Sequence, residues 1–225
     1  MDPFTPIRVR WLRLPLPIRV RQCKRVDNDN GLAKHVLVAP LDVGATVEVT
    51  VDWERRQDHM SQHSAQHLVT ALAIKHFRWE TLSWNLGEDT SFLELATPEI
   101  SAAELQTLEA ESNAAIRAGH VVTPSWHSVT DVNEGAVPGL RKSSKPLPPS
   151  VTGPVRVVTY DGIDTNTCCG THVATTAHLQ ATRLRRPLRF ECCREASGAP
   201  PPRLPPPVPA AAADATHSPD DVAPK

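Results

Sequence analysis

Two short stretches, HSAQH at residues 63–67 and CCGTH at residues 168–172, decide how this chain is read. In the first, two histidines stand four apart, which on a helix sets both imidazoles on one face with Cβ atoms about 5–6 Å apart. Two such nitrogens can meet one zinc ion at roughly 2.0–2.1 Å each. The same spacing occurs in HExxH zinc proteases, where a glutamate base follows the first histidine; here that residue is Ser64, which disfavours a protease. Alone the pair is weak evidence, because paired helical histidines are more often surface residues, and His59 one turn earlier shows how easily the spacing arises. In the second stretch Cys168 and His172 are again four apart, with Gly170 permitting a tight turn between them. Joined, His63, His67, Cys168 and His172 make a tetrahedral set of three imidazoles and one thiolate, an ordinary shell for one zinc ion. The choice of Cys168 over Cys169 rests on the four-residue spacing, and geometry leaves Cys169 open.

Working outward, Asp58 can cap a helix whose apolar positions Met60, Leu68, Ala71 and Leu72 recur at helical spacing, with no Gly or Pro until past Phe77. Before it, residues 46–53 alternate, with Val47, Val49, Val51 and Trp53 on one face, which reads as a half-buried strand. Residues 35–38 are a shorter strand candidate, separated from the first by turn residues at 40–44. After the helix, Leu82, Trp84 and Leu86 alternate, residues 87–90 can turn and residues 92–95 return, predicting a hairpin. Ser101 with Glu104 forms a capping box, Leu105, Leu108, Ser112 and Ile116 mark a buried stripe, and Gly119 sits where a C-terminal cap belongs. Residues 135–154, rich in Gly, Pro, Ser and Lys, read as a long surface loop, and residues 155–160 as a strand feeding DTNTCCGTH. This order predicts an α+β fold without internal repeats.

The bulk numbers bound the rest. At 225 residues there is room for one full domain with appendages. Aromatics make up only 4 %, and nine of the 22 prolines fall between Pro200 and Pro224, so the C-terminal stretch has too few large apolar groups to offset the entropy of ordering. The net charge of -1 does not mark a nucleic-acid binder as a whole. Two local basic clusters, seven Arg or Lys within the first 25 residues and Arg183, Arg185, Arg186 and Arg189, could touch phosphates or simply form solvated faces. Five cysteines, two adjacent pairs plus Cys23, do not resemble a disulfide framework and point to metal or free thiols. No apolar run approaches the roughly 18 residues of a membrane span and no signal-type apolar core opens the chain, so a cytoplasmic protein is expected. The Arg-rich, acid-poor start leaves an organellar address as the alternative, against which Pro3, Pro6, Pro15 and Pro17 would interrupt an amphipathic helix.

HxxxH followed about a hundred residues later by CxxxH resembles the second additional domain of alanyl- and threonyl-tRNA synthetases. The longer runs VDWERRQDHMSQHSAQHLVTALA, SWNLG and VRVVTYDGIDTNTCCGTHV are similar to the free-standing alanyl-tRNA editing proteins of the AlaX type, particularly the eukaryotic alanyl-tRNA-synthetase-domain-containing kind. The resemblance covers roughly residues 45–180 and implies an editing-domain fold. It implies a trans-editing hydrolase that removes serine, or glycine, from mischarged tRNA-Ala, with one zinc per chain. A hydrophobic pocket rejects an analogue that merely adds a hydroxyl only about 10²-fold, so serine passes as alanine during charging and a second site must remove it. Candidate reporters of the serine hydroxyl are Ser64, Gln66 and Thr171, each of which also fits a purely local hydrogen-bonding role.

On this reading residues 1–30 form a basic leader, 31–57 a partial N-terminal β unit, 58–190 the zinc-binding editing domain and 191–225 a disordered Pro/Ala-rich tail. Two departures from the family pattern stand out: no glycine-rich GGGQ-like segment precedes DWERR, and the residues after Leu179 do not resemble the family's closing strands. An exposed sheet edge is therefore expected there. The alternative to an editing enzyme is a catalytically impaired zinc-binding module for tRNA or protein, or a truncated isoform. The length leaves no room for an ATP-binding core or an aminoacylation domain.

Overall fold

The computed structural model describes residues 7–10, 18–25, 33–37, 40, 48–87, 90–141, 147, 151–186 and 188–192, the strands before Val51 as backbone only. All of them belong to one compact unit, Met1–Arg194. The proline-rich tail expected over 191–225 lies outside the described residues except for its first two positions, which end a strand.

Four strands pair first. Strands β1 (Ile7–Arg10), β2 (Ile18–Arg25), β3 (Ala33–Leu37) and β4 (Glu48–Val51) form an antiparallel sheet in the order β3-β2-β1-β4. Two of them fall inside the stretch expected to be a leader. The reason is visible in IRVR, which occurs at both Ile7–Arg10 and from Ile18: apolar and cationic residues alternate, a strand period hidden within a count of positive charges.

Helix α1 runs from Trp53 to Phe77, starting earlier than expected, because the Asp52 side chain accepts the backbone N–H of Arg55 and caps the end. Asp58, the expected cap, instead lies within the helix and accepts a hydrogen bond from Gln62 at 3.0 Å. The helix ends on Arg78 in the left-handed region (φ 62°), its N–H closing on the carbonyls of Ala73 and Ile74. From Gln62 to Ala73 every residue is buried, so this part of the helix is covered on all sides.

The cover comes from three directions. Strands β5 (Thr81–Asn85) and β6 (Ser91–Leu95) form the expected hairpin, and β6 alternates, with Ser91, Leu93 and Leu95 inside and Phe92 and Glu94 outside. Helix α2 (Ala102–Ala118) has the expected capping box at Ser101 and the expected Gly119 cap at φ 70°. Strands β10 (Thr182–Arg185) and β11 (Arg189–Cys192) complete an antiparallel sheet in the order β10-β11-β6-β5. The expectation of missing closing strands is thus corrected. Thr182 and Leu184 point inward while Arg183 and Arg185 point out, so what reads as a basic cluster is the solvent face of a strand.

The edge beyond β10 is not left bare either. Asn113 of α2 exchanges two hydrogen bonds with the backbone of Thr182 (2.8 and 2.9 Å), and Glu109 accepts from the N–H of Leu184 at 2.6 Å. Side chains of a helix here take the place of a neighbouring strand. Between these layers Leu68, Val69, Leu72, Leu93, Leu108, Ile116, Val173, Leu179, Leu184 and Phe190 form the main core.

A third, three-stranded sheet holds β7 (Val122–His127), β8 (Val155–Tyr160) and β9 (Asp164–Thr167) in that order. Of these, sequence reasoning found only β8. The segment between β7 and β8 contains a short helix, α3 (Val129–Glu134), capped by Ser128 and Asp131, so the expected loop over 135–154 begins at that helix's Gly135 cap. No helix among the described residues is long and apolar enough to cross a membrane.

Phe190 is 1 % exposed and sits on the strand that joins β10 to β6. Replacing it with alanine should lower stability by about 3–5 kcal/mol, measured by urea unfolding. A loss below about 1 kcal/mol would show that β11 does not close the core.

Candidate metal centre

The two sequence motifs meet although about a hundred residues separate them. His63 and His67 lie on the buried part of α1, and Cys168 and His172 lie on the loop that follows β9. One donor atom from each of the four lies within 4.8 Å of the others, a group that could hold a metal ion. Sγ of Cys168 stands 3.5 Å from Nε2 of His63 and 3.3 Å from Nε2 of His172. Adjacent donors in a tetrahedral zinc shell with ordinary Zn–N and Zn–S bonds are about 3.3–3.6 Å apart, so these distances already suit one shared ion. Cys169, the alternative thiol, is exposed, whereas Cys168 is the member of the cluster.

Hydrogen bonds on the far side of the rings fix which nitrogen is offered. Nδ1 of His63 lies 3.1 Å from the carbonyl oxygen of Thr171. A carbonyl only accepts, so Nδ1 carries the proton and Nε2 presents its lone pair toward Cys168. For His172, Nδ1 lies 2.9 Å from the hydroxyl oxygen of Tyr160, which itself donates to the carbonyl of Ser64 at 3.2 Å. Burial pushes the Tyr160 hydroxyl above its ordinary range, which keeps that proton in place for donation. The imidazole N–H therefore donates to Tyr160, and again Nε2 is the free nitrogen.

Charge state agrees with this geometry. Burial, reinforced by His63, Arg141 and Arg156, lowers the pKa of His67 to about 3. Burial first, then His67, His63 and Arg156, drives His172 lower still. Both rings are neutral near pH 7, the form in which imidazole binds metal. Burial raises the Cys168 thiol, opposed by a backbone hydrogen bond from Gly170 and by the Arg156 charge. A bound cation would lower it.

The loop carrying Cys168 and His172 is held by backbone contacts. Arg156 on β8 donates through Nη1 to the carbonyls of Cys168 (2.9 Å) and Gly170 (2.6 Å), and its own carbonyl accepts from the Cys168 N–H at 3.0 Å. A Cβ added at Gly170 would stand 2.3 Å from Cε1 of His63, closer than real Cβ contacts come. The glycine thus serves close approach as well as turning. Over the other side, the Trp84 indole stacks on His63 with ring centroids 5.7 Å apart and an interplanar angle of 24°.

The candidate hydroxyl reporters occupy different places. Ser64 is fully buried, its Oγ accepting from the N–H of Val173 at 3.0 Å and lying 3.3 Å from Nδ1 of His172. Gln66 is buried and donates to Thr70 Oγ1 at 2.9 Å, which lies 2.8 Å from Thr81 Oγ1. Thr171 is partly exposed and its carbonyl supports His63. Tyr160, Arg156 and Trp84 are the neighbours that sequence reasoning missed. The inward end of an alternating strand was the signal available for Tyr160.

Comparison with known proteins follows the same lines. Residues 155–197 match the threonyl and alanyl tRNA synthetase second additional domain. Over 153 residues, 68 % of this chain, there is 42 % identity with the alanyl-tRNA editing protein Aarsd1 of Danio rerio. Over 160 residues, 71 % of the chain, identity with the Mus musculus protein of that name is 41 %. The alanyl-tRNA editing protein AlaX-M of Methanosarcina mazei is 25 % identical over 146 residues. The chain spans 36 % of the fish protein, 38 % of the mouse protein and 57 % of the archaeal one. By sequence and by the motifs that meet at this centre, the chain is a relative of the alanyl-tRNA editing proteins and carries the matched part of the threonyl and alanyl tRNA synthetase second additional domain.

Proposed function

We propose that this chain is a zinc-dependent deacylase acting on tRNA-Ala mischarged with serine or glycine. The observation that carries the proposal is the convergence of His63, His67, Cys168 and His172, with Nδ1 of two imidazoles tied back to oxygen acceptors. Relatives whose names describe alanyl-tRNA editing supply the substrate class. The reaction is attack of water on the aminoacyl ester carbonyl, freeing the amino acid and returning the hydroxyl of the terminal ribose. Zinc, when bound, would supply Lewis-acid polarisation or a water of lowered pKa. The chain's own residues hold the site in register: Tyr160 and Thr171 orient imidazoles, Arg156 fixes the loop, and Ser64 joins loop to helix through Val173.

Of the three candidate reporters, Thr171 keeps that role best, being partly exposed beside the ligands. Ser64 and Gln66 are buried with protein partners and suit support of the scaffold. A second reading has one observation in its favour: four protein donors complete a tetrahedral shell, as in structural zinc sites. On that reading the chain binds zinc and tRNA without turnover.

Incubation with Ser-tRNA-Ala should release serine, and chelation should abolish the release until zinc is restored. Zinc retained with no release would leave the binding module standing and refute the deacylase.

Gly170→Ala and Tyr160→Phe should each weaken zinc binding, the latter about 10- to 100-fold as is typical of groups that orient a ligand, read by competition with a chromogenic chelator. Wild-type affinity in both variants would contradict the ligand geometry.

Metal-free protein should also show a defined pH response. His67 resists protonation in the fold down to about 3, whereas in the unfolded chain it takes a proton below its ordinary 6.5. Between those values the unfolded chain binds more protons, so stability is full above pH 6.5 and declines as pH falls toward 3. A melting temperature that stays level through that window would contradict the burial of a neutral imidazole.

A further inference from the structure

Trp84 is the residue beside the metal centre that packing explains least. It pairs with Leu93 across the β5–β6 ladder, and directly opposed residues share a face, so its side chain points toward the core side of the sheet. Leu93 is 1 % exposed, yet Trp84 is 46 % exposed. β5 is the outer strand of its sheet, so the indole stands at the rim, stacked on His63 and still half open to water. Leu82, on the same strand, is also exposed at 61 %. Leaving an indole uncovered forfeits much of the burial that makes tryptophan useful in a core.

We infer that Trp84 is the platform on which the 3′-terminal adenosine of the tRNA stacks. This rests on the deacylase reading. The ester to be cleaved and the terminal base hang on the same ribose, so an ester carbonyl placed at the ligand cluster sets that base one sugar away. The indole stands beside that cluster, its ring centroid 5.7 Å from that of His63, one of the four candidate ligands. Base–aromatic stacking tolerates any base identity, because every base offers a π-face, and suits a terminus common to all tRNAs. It would position the substrate without reading the amino acid. Trp84 is thus a positioning residue, and its loss should be felt in binding rather than in the hydrolytic step.

The test uses full-chain, zinc-loaded protein with Trp84→Ala and Trp84→Phe. In single-turnover hydrolysis of Ser-tRNA-Ala, half-saturation should rise about 5- to 100-fold for alanine and less for phenylalanine, with the saturating rate and zinc content unchanged. Independently of hydrolysis, uncharged tRNA-Ala is compared with the same tRNA lacking its terminal adenosine. Removing that nucleotide should weaken binding to wild type by a similar factor and leave binding to Trp84→Ala unaffected. Equal sensitivity of both proteins to the missing adenosine would overturn the inference, as would zinc loss in both variants, which would make the indole a shield for the metal. If wild type distinguishes the two tRNAs but releases no serine, the stacking platform stands and the deacylase reading falls.

Discussion

The close approach of the Gly170 backbone to the ring of His63 is the contact on which the arrangement depends. With a Cβ position only 2.3 Å from Cε1, no other residue type fits without moving the histidine or the loop. That approach lets one loop place Cys168 and His172 against a helix that already presents His63 and His67. Arg156 holds the loop down through two of its carbonyls, and the N–H of Val173, next to His172, reaches the hydroxyl of Ser64, next to His63. The candidate metal centre is therefore a joint between α1 and the loop after β9, and its geometry follows from how closely two backbones can come.

Placing such a joint inside the protein has a consequence for the rest of the fold. Helix α1 is buried over a stretch that includes Gln62, His63, Ser64, Gln66, His67 and Thr70, and a buried polar group left without a partner costs about 1–3 kcal/mol. The partners are supplied from the surrounding elements. Ser91 on β6 donates to Gln62 at 2.5 Å, Thr81 on β5 meets Thr70, and Tyr160 on β8 connects His172 to the Ser64 carbonyl. The hairpin and the third sheet thus complete a polar network as well as an apolar core.

Much of this was legible in the sequence where the controlling interaction is local. The spacing of His63 with His67 and of Cys168 with His172 falls within single elements, and the Ser101 box and Gly119 cap are set by residues three or one positions away. What the sequence did not disclose depends on distant partners or competing local signals. Asp52 and Asp58 are equally good caps in isolation, and the preceding strand's end decides between them. The arginines of β10 read as a charge cluster because their inward companions, Thr182 and Leu184, gain meaning only once β11 lies alongside. Tyr160 reaches Ser64 across 96 positions of chain, a separation no periodicity can encode.

Everything proposed for this site turns on three imidazoles and one thiolate of this chain sharing one zinc ion. X-ray absorption at the zinc edge, on protein loaded with one equivalent, measures this most directly. The expected shell holds one sulfur at about 2.3 Å and three nitrogens at about 2.0–2.1 Å. A shell with no sulfur, or with two, would contradict it.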